Sequence, residues 1–241
     1  MIDRDSLLDL AALTPDVLHD EPYRWGRLRH AIKPDQAATL RRTFPTTGFW
    51  ELRKHDGEKY MRFLIRPLVP LGAERPVFEA SLAPAWRELV EGFLSPGYRA
   101  SCERALGASL EDAPLEVSAW RWGPDSELGP HVDIPRKIAS QVLYFNETWD
   151  PAFGGCLRIL RSADEEDVAA ELPPLLGSAS LIVRSDCSWH SVPRVSRAAA
   201  GERLSVVVTW QHPDTTSPFW TVEADGSVRC HATGSRRQPL T

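Results

Sequence analysis

His131, Asp133 and His190 are the residues of this chain best suited by type and spacing to do chemistry. They stand in Gly129-Pro130-His131-Val132-Asp133 and in Trp189-His190-Ser191-Val192-Pro193. Two neutral imidazoles and one carboxylate form the ligand set of a non-haem Fe(II) site that grips the metal through three residues. The remaining positions stay open, and open positions separate a catalytic metal site from a structural one. A His-x-Asp pair alone is common. An ordered set of His-x-Asp, a distal His and a following Arg is far more specific.

That Arg is Arg203, 13 residues after His190, at the head of Leu204-Ser205-Val206-Val207-Val208-Thr209-Trp210. A 2-oxoacid that chelates iron through its keto-acid end leaves a second carboxylate pointing away from the metal. A guanidinium suits it, being always charged and able to grip a carboxylate as a fork. Strand alternation puts the Ser205 hydroxyl on the same face, with Leu204, Val206 and Val208 on the other. Arg194 and Arg197 are the competing cations.

Elements must bring these groups together. In an extended strand His131 and Asp133 project to one side while Val132 packs the other way. His190 follows Asp133 by 57 positions, and a double-stranded β-helix can supply it from a strand in the facing sheet. Turn residues (Gly123-Pro124, Gly129-Pro130, Gly154-Gly155, Pro173-Pro174) punctuate short apolar runs. Strands are expected at 115–122, 131–134, 139–146, 156–160, 178–184, 190–194 and 203–211, as in a sandwich or barrel. Upstream, helices are expected at 5–13, 35–44, 83–94 and 96–106. A hairpin is expected between 48–53 and 59–65, across the Asp56-Gly57 pair. The acidic run Asp164 to Asp167 reads as a solvated loop or a helix start, with no chemistry assigned to it.

Composition sets the frame. The chain has 241 residues, with 42% hydrophobic and 25% charged content, ordinary for a globular protein. A net charge of -5 leaves no basic excess for nucleic acid. No apolar run approaches a membrane span, and Asp3 and Asp5 stand where a secretory signal would be basic and then apolar. A cytoplasmic location, no nucleic acid and no membrane are therefore expected. Cys102, Cys156, Cys187 and Cys230 show no CxxC spacing, as in a reduced cytosolic chain. The 24 Arg against 4 Lys reflect gene composition rather than a phosphate-binding surface.

From Glu116 to Gln211 the sequence resembles the 2-oxoglutarate/Fe(II)-dependent dioxygenases, in particular their prolyl-4-hydroxylase-like branch. The marks are His131-Val132-Asp133, Leu143-Tyr144-Phe145-Asn146-Glu147-Thr148-Trp149, Gly154-Gly155-Cys156-Leu157-Arg158-Ile159, His190-Ser191-Val192 and Gly201-Glu202-Arg203. The resemblance implies Fe(II), 2-oxoglutarate as cosubstrate, and O2. It implies that the Tyr144 phenol donates to the distal carboxylate of 2-oxoglutarate. The strand before His131 should add a contact, with Arg121 or Trp120 as the candidate. The implied architecture is α+β with a mainly β core: a double-stranded β-helix (jelly-roll, cupin-like) with N-terminal helices packed outside. One domain, 1–241, is expected: a flanking region 1–110, a catalytic core 115–212 and a C-terminal tail 213–241. Asp133 stands where related halogenases have a small residue, which favours hydroxylation.

The expected partner is a small amino-acid-like or natural-product substrate, with a peptide (prolyl-type hydroxylation) or a carrier-bound acyl group as the alternative. A non-catalytic metal-binding β-barrel would need no cosubstrate anchor. A cupin enzyme without 2-oxoglutarate would need further histidines in close spacing, and His212 and His231 lie too far along. With His19, His30 and His55, these two are read as surface or packing residues. Trp120, Trp122, Tyr60, Phe63 and Trp189 are candidate pocket aromatics.

Overall fold

The structure is a computed structural model. It describes residues 7–56, 59–77, 79–223 and 227–231, without the side chains of 54–56, 59, 60 and 79. Its strands are β1 (Leu18–His19), β2 (Trp25–Leu28), β3 (Trp50–Asp56), β4 (Lys59–Val69), β5 (Leu115–Trp122), β6 (Glu127–His131) and β7 (Lys137–Tyr144). After them come β8 (Leu157–Leu160), β9 (Val168–Leu172), β10 (Ala179–Val183), β11 (His190–Val192), β12 (Arg203–Gln211), β13 (Trp220–Val222) and β14 (Val228–Cys230). The helices are α1 (Pro34–Arg42), α2 (Pro84–Leu94) and α3 (Pro96–Leu106).

Each helix starts on a proline, whose fixed φ suits a first turn and whose missing N–H would have had no partner there. In α3 the Ser95 hydroxyl accepts the Tyr98 N–H, and Gly107 closes the helix with φ +64°. The helix expected at 5–13 is a single 3-10 turn, Leu10–Ala12, within the described residues. That segment spends its backbone groups on a crossing strand instead, Asp9 donating to the Ala31 carbonyl and Lys33 to that of Leu7. The expected hairpin is β3–β4, in register from Trp50 opposite Ile65 to Asp56 opposite Lys59; its tip, Gly57 and Glu58, lies outside the described residues.

Twelve strands form one antiparallel sheet in the order β1-β2-β10-β7-β12-β5-β4-β6-β11-β8-β9, with β3 on the other side of β4. Strand β4 turns the corner, pairing with β5 through Leu64 to Val69 and with β6 through Met61 and Arg62. The sheet curls into the double-stranded β-helix expected from the sequence. β9 was not anticipated: Val-Ala-Ala-Glu-Leu is weakly strand-forming and is held by pairing to β8.

The two faces of β12 show why its nine residues are all buried. Leu204, Val206, Val208 and Trp210 face outward onto α2 and α3, joining Trp86, Leu89, Val90 and Phe93 in one apolar cluster. Arg203, Ser205, Val207, Thr209 and Gln211 face the interior of the curl. There a second cluster gathers Phe63, Ile65, Trp122, Leu128, Ile159 and Ile182. Burying each such large side chain contributes about 1.5–3 kcal/mol, so the helix layer is what holds the concave face rigid. Among the described residues no helix is long and apolar enough to cross a membrane.

Candidate metal and cosubstrate centre

The central unit is the β6–β11 pair. His190 lies directly opposite His131 across this ladder. The two strands are therefore neighbours in one sheet, not members of facing sheets as the sequence suggested. β6 also ends at His131, so Asp133 comes from the connection to β7 rather than from a strand. The ligand-capable atoms of His131, Asp133 and His190 all lie within 4.8 Å of one another, and all three residues are buried.

Each imidazole is oriented from behind. His131 Nδ1 lies 2.9 Å from the Gly129 carbonyl and His190 Nδ1 lies 2.9 Å from the Ser188 carbonyl. A carbonyl only accepts, so Nδ1 carries the proton in both rings and the Nε2 lone pair is left for a metal. Asp133 Oδ1 lies 4.0 Å from His131 Nε2 and 2.8 Å from Lys137 Nζ. Its Oδ2 accepts from Ser140 Oγ at 3.2 Å. Burial alone would raise the Asp133 pKa, but the Lys137 ammonium and the two imidazoles hold it well below the ordinary carboxylate range. The carboxylate is thus ready to ligate.

One cavity of about 90 Å³ joins this triad to the second group of residues. Arg203 lies in its wall and is 2% exposed. Its guanidinium lies 5.0 Å from the centre of the Trp122 ring and 5.2 Å from that of Tyr144, and Nη1 donates to Ser205 Oγ at 3.1 Å. Tyr144 and Ser180 share a hydroxyl hydrogen bond of 2.8 Å. Burial pushes the Tyr144 phenol up, so it is a neutral donor. Among the described residues Arg203 has no carboxylate partner, and its Nε has no hydrogen-bond partner. A buried guanidinium without a countercharge is expensive unless an anion arrives to meet it.

Not every expected residue faces this cavity. Arg121 is a correction: it lies on the opposite face of β5, bound to Glu202 at 2.6 Å and to the Thr46 carbonyl. Register explains it, because Trp122 sits opposite Arg203 and Trp120 opposite Ser205. Alternation then sends Arg121 outward and leaves Trp120, the other candidate, in the cavity wall. Phe63 and Trp122 also line it, whereas Trp189 does not; the Tyr60 side chain lies outside the described residues. Arg194 and Arg197 point away to Glu127 and Asp125.

Sequence reasoning missed Lys137, Ser140, Ser180 and Phe219. Ser140 shares the parity of Tyr144 along β7 and could have been counted. Lys137 opens β7 ahead of an irregularity that skips Ile138 in the pairing with β12, so its parity does not follow that of Ser140. Phe219 belongs to the expected tail, whose described residues include the paired strands β13 and β14, packed against the inner cluster.

The family model of the 2OG-Fe(II) oxygenase superfamily matches residues 117–212, the segment that carries His131, Asp133, Lys137, Tyr144, His190, Arg203 and Ser205. Over this segment the chain is similar to the 2OG-Fe(II) oxygenases. That family uses Fe(II), 2-oxoglutarate and O2, and the donor sets present here fit them: two oriented imidazoles with an ionised carboxylate, and a buried guanidinium without a carboxylate partner among the described residues. Solved structures share the oxygenase fold at low identity. A prolyl-4-hydroxylase from Pseudomonas putida aligns with TM-score 0.59 and 21% identity, over 84% of this chain and 98% of its own. A 2OG-Fe(II) oxygenase family oxidoreductase from Burkholderia pseudomallei aligns with TM-score 0.56 and 16% identity, over 78% and 84%. AviO1 from Streptomyces viridochromogenes Tue57 aligns with TM-score 0.54 and 11% identity, over 88% and 98%. No curated protein sequence matches the chain.

Proposed function

We propose that this chain is a 2OG-Fe(II) oxygenase that hydroxylates an unactivated C–H bond of a small, amino-acid-like or natural-product substrate. In this reading His131, Asp133 and His190 hold Fe(II), and Arg203 grips the distal carboxylate of 2-oxoglutarate with help from Ser205 and Tyr144. When bound, the metal with 2-oxoglutarate and O2 supplies the oxidising power, and succinate and CO2 are the coproducts. The chain's own work is to position and to exclude water. The Gly129 and Ser188 carbonyls keep both imidazoles turned to the metal. Asp133 fills the place a halide would need, which favours hydroxylation. The stacked Phe63 and Trp120 rings, 4.2 Å apart, wall the cavity against solvent.

The observation that carries this reading is the buried Arg203 with no anion of its own, in the same cavity as the triad. A metal site kept only for stability needs no such cation. Phe219 contributes to the cavity wall, which favours a compact substrate over a peptide lying in an open groove. The solved prolyl-4-hydroxylase of the same fold keeps a peptidyl substrate as the alternative.

The test is anaerobic titration with Fe(II) followed by 2-oxoglutarate. One metal per chain and a weak visible charge-transfer band are expected. His131→Ala, Asp133→Ala and His190→Ala should each abolish the band while unfolding stays cooperative. A band that persists in all three variants defeats the assignment. Succinate release across free amino acids, short peptides and carrier-bound acyl groups then separates the substrate classes.

A further inference from the structure

The cavity carries a cation that neither the metal nor 2-oxoglutarate uses. Lys137 lines it with its side chain 17% exposed, and its ammonium stands 2.8 Å from Asp133 Oδ1. It reaches there because β6 and β7 are joined by a tight turn, closed by the Lys137 N–H on the Ile134 carbonyl at 3.1 Å. The ion pair belongs to the metal-free arrangement. Oδ1 is also the Asp133 oxygen recorded near His131 Nε2, at 4.0 Å. Once a divalent cation takes that oxygen, cation and ammonium repel each other, and the pair loosens.

The charges facing the cavity then fail to balance. Among the described residues Asp133 is the only acid in its wall, with Lys137 and Arg203 as the cations. With a divalent metal and the doubly charged cosubstrate in place, the loaded cavity keeps one surplus positive charge, and it resides on Lys137. Glu116 is the other acid whose charge reaches Lys137. It is not part of the wall, it receives the Gln211 amide at 3.5 Å, and burial pushes its carboxyl up to about 7. Apart from Lys137, the triad, Ser140, Tyr144 and Arg203, the wall is apolar or aromatic, with Met61, Phe63, Trp120, Leu128 and Phe219 among its residues. An enclosed cation with an apolar surround suits a ligand of matching form, an anionic group on a hydrophobic body.

We propose that Lys137 binds the carboxylate of the substrate to be oxidised, so that this substrate is a small apolar or aromatic carboxylic acid. The proposal rests on the reading of the triad and Arg203 given above. A charged hydrogen bond of this kind contributes about 1.5–3 kcal/mol, equivalent to about ten- to a hundredfold in affinity.

The experiment uses the whole protein, loaded anaerobically with Fe(II) and 2-oxoglutarate. The probes are phenylacetate, indole-3-acetate and N-acetylphenylalanine, each beside its neutral amide. Binding is followed by tryptophan fluorescence and by the shift of the charge-transfer band. Each acid should bind at least about tenfold more tightly than its amide. Lys137→Gln should erase that difference while keeping the 2-oxoglutarate band, and Lys137→Arg should restore part of it. Equal binding of acids and amides by the wild type overturns the proposal, as does a preference that survives in Lys137→Gln. A wild type without any band removes the underlying site reading itself, and that failure is visible before any probe is added.

Discussion

Arg203 and its neighbours Arg194 and Arg197 differ in what surrounds them rather than in side-chain chemistry. Arg203 is buried between two aromatic rings without a countercharge, while Arg194 and Arg197 hold surface acids at 2.6 and 2.7 Å with 62% and 81% of their side chains exposed. Exposed pairs contribute little, whereas breaking a buried ionic pair costs about 3–5 kcal/mol. Arg203→Ala should therefore weaken 2-oxoglutarate binding at least about a hundredfold with Fe(II) binding retained. Arg203→Lys should be intermediate, keeping the charge and losing the fork. A 2-oxoglutarate titration of these variants beside Arg194→Ala and Arg197→Ala decides it; a loss in either of the latter, with Arg203→Ala unaffected, moves the anchor elsewhere. At this scale residue type and order pointed to His131, Asp133, His190 and Arg203, which the structure brings together around one cavity. Type and order were not enough for Arg121, because deciding between neighbouring positions on β5 requires knowing which of them sits opposite Arg203.

At the scale of elements, the inner faces of β5 and β12 run from Arg203 at one end to a buried polar group at the other. There Glu116 lies opposite Thr209 and beside Gln211, close to Ser217 and Trp220 of the C-terminal segment. Burial raises the Glu116 pKa from 4.5 to about 7. The folded state thus binds this proton more tightly than the unfolded chain, so stability falls as pH rises from about 4.5 to 7. Between pH 5 and 8 this one group should remove about 2 kcal/mol, and Glu116→Gln should flatten that slope in urea unfolding curves. An unchanged slope would show that the carboxyl is solvated. Strand and helix positions were largely legible: β5, β12 and α3 follow their apolar patterns residue for residue. What no pattern could show was pairing. That His131 and His190 share a ladder, and that β13 and β14 pair against the interior, depend on contacts between distant segments, which periodicity does not encode.

For the molecule as a whole, the β6–β11 ladder has a further meaning. His131 and His190 are 59 residues apart, and strands β7 to β10 all hang between them. A metal held by both is a crosslink that closes this long loop, and such clips oppose unfolding by restricting the open chain. At a free metal concentration a hundred times its dissociation constant the gain is about 2.7 kcal/mol. For a chain of this size that is a rise of about 5–10 °C in Tm, to be read by calorimetry under argon with and without Fe(II); no rise would mean that the triad does not bind the metal. The same closure governs proteolysis. The exposed turn Asp164–Asp167 lies inside the crosslinked loop, so a protease should nick the metal-free protein there first. Iron would then be a condition of the enzyme's lifetime as well as of its chemistry, and a cell short of iron would degrade the molecules it could not load.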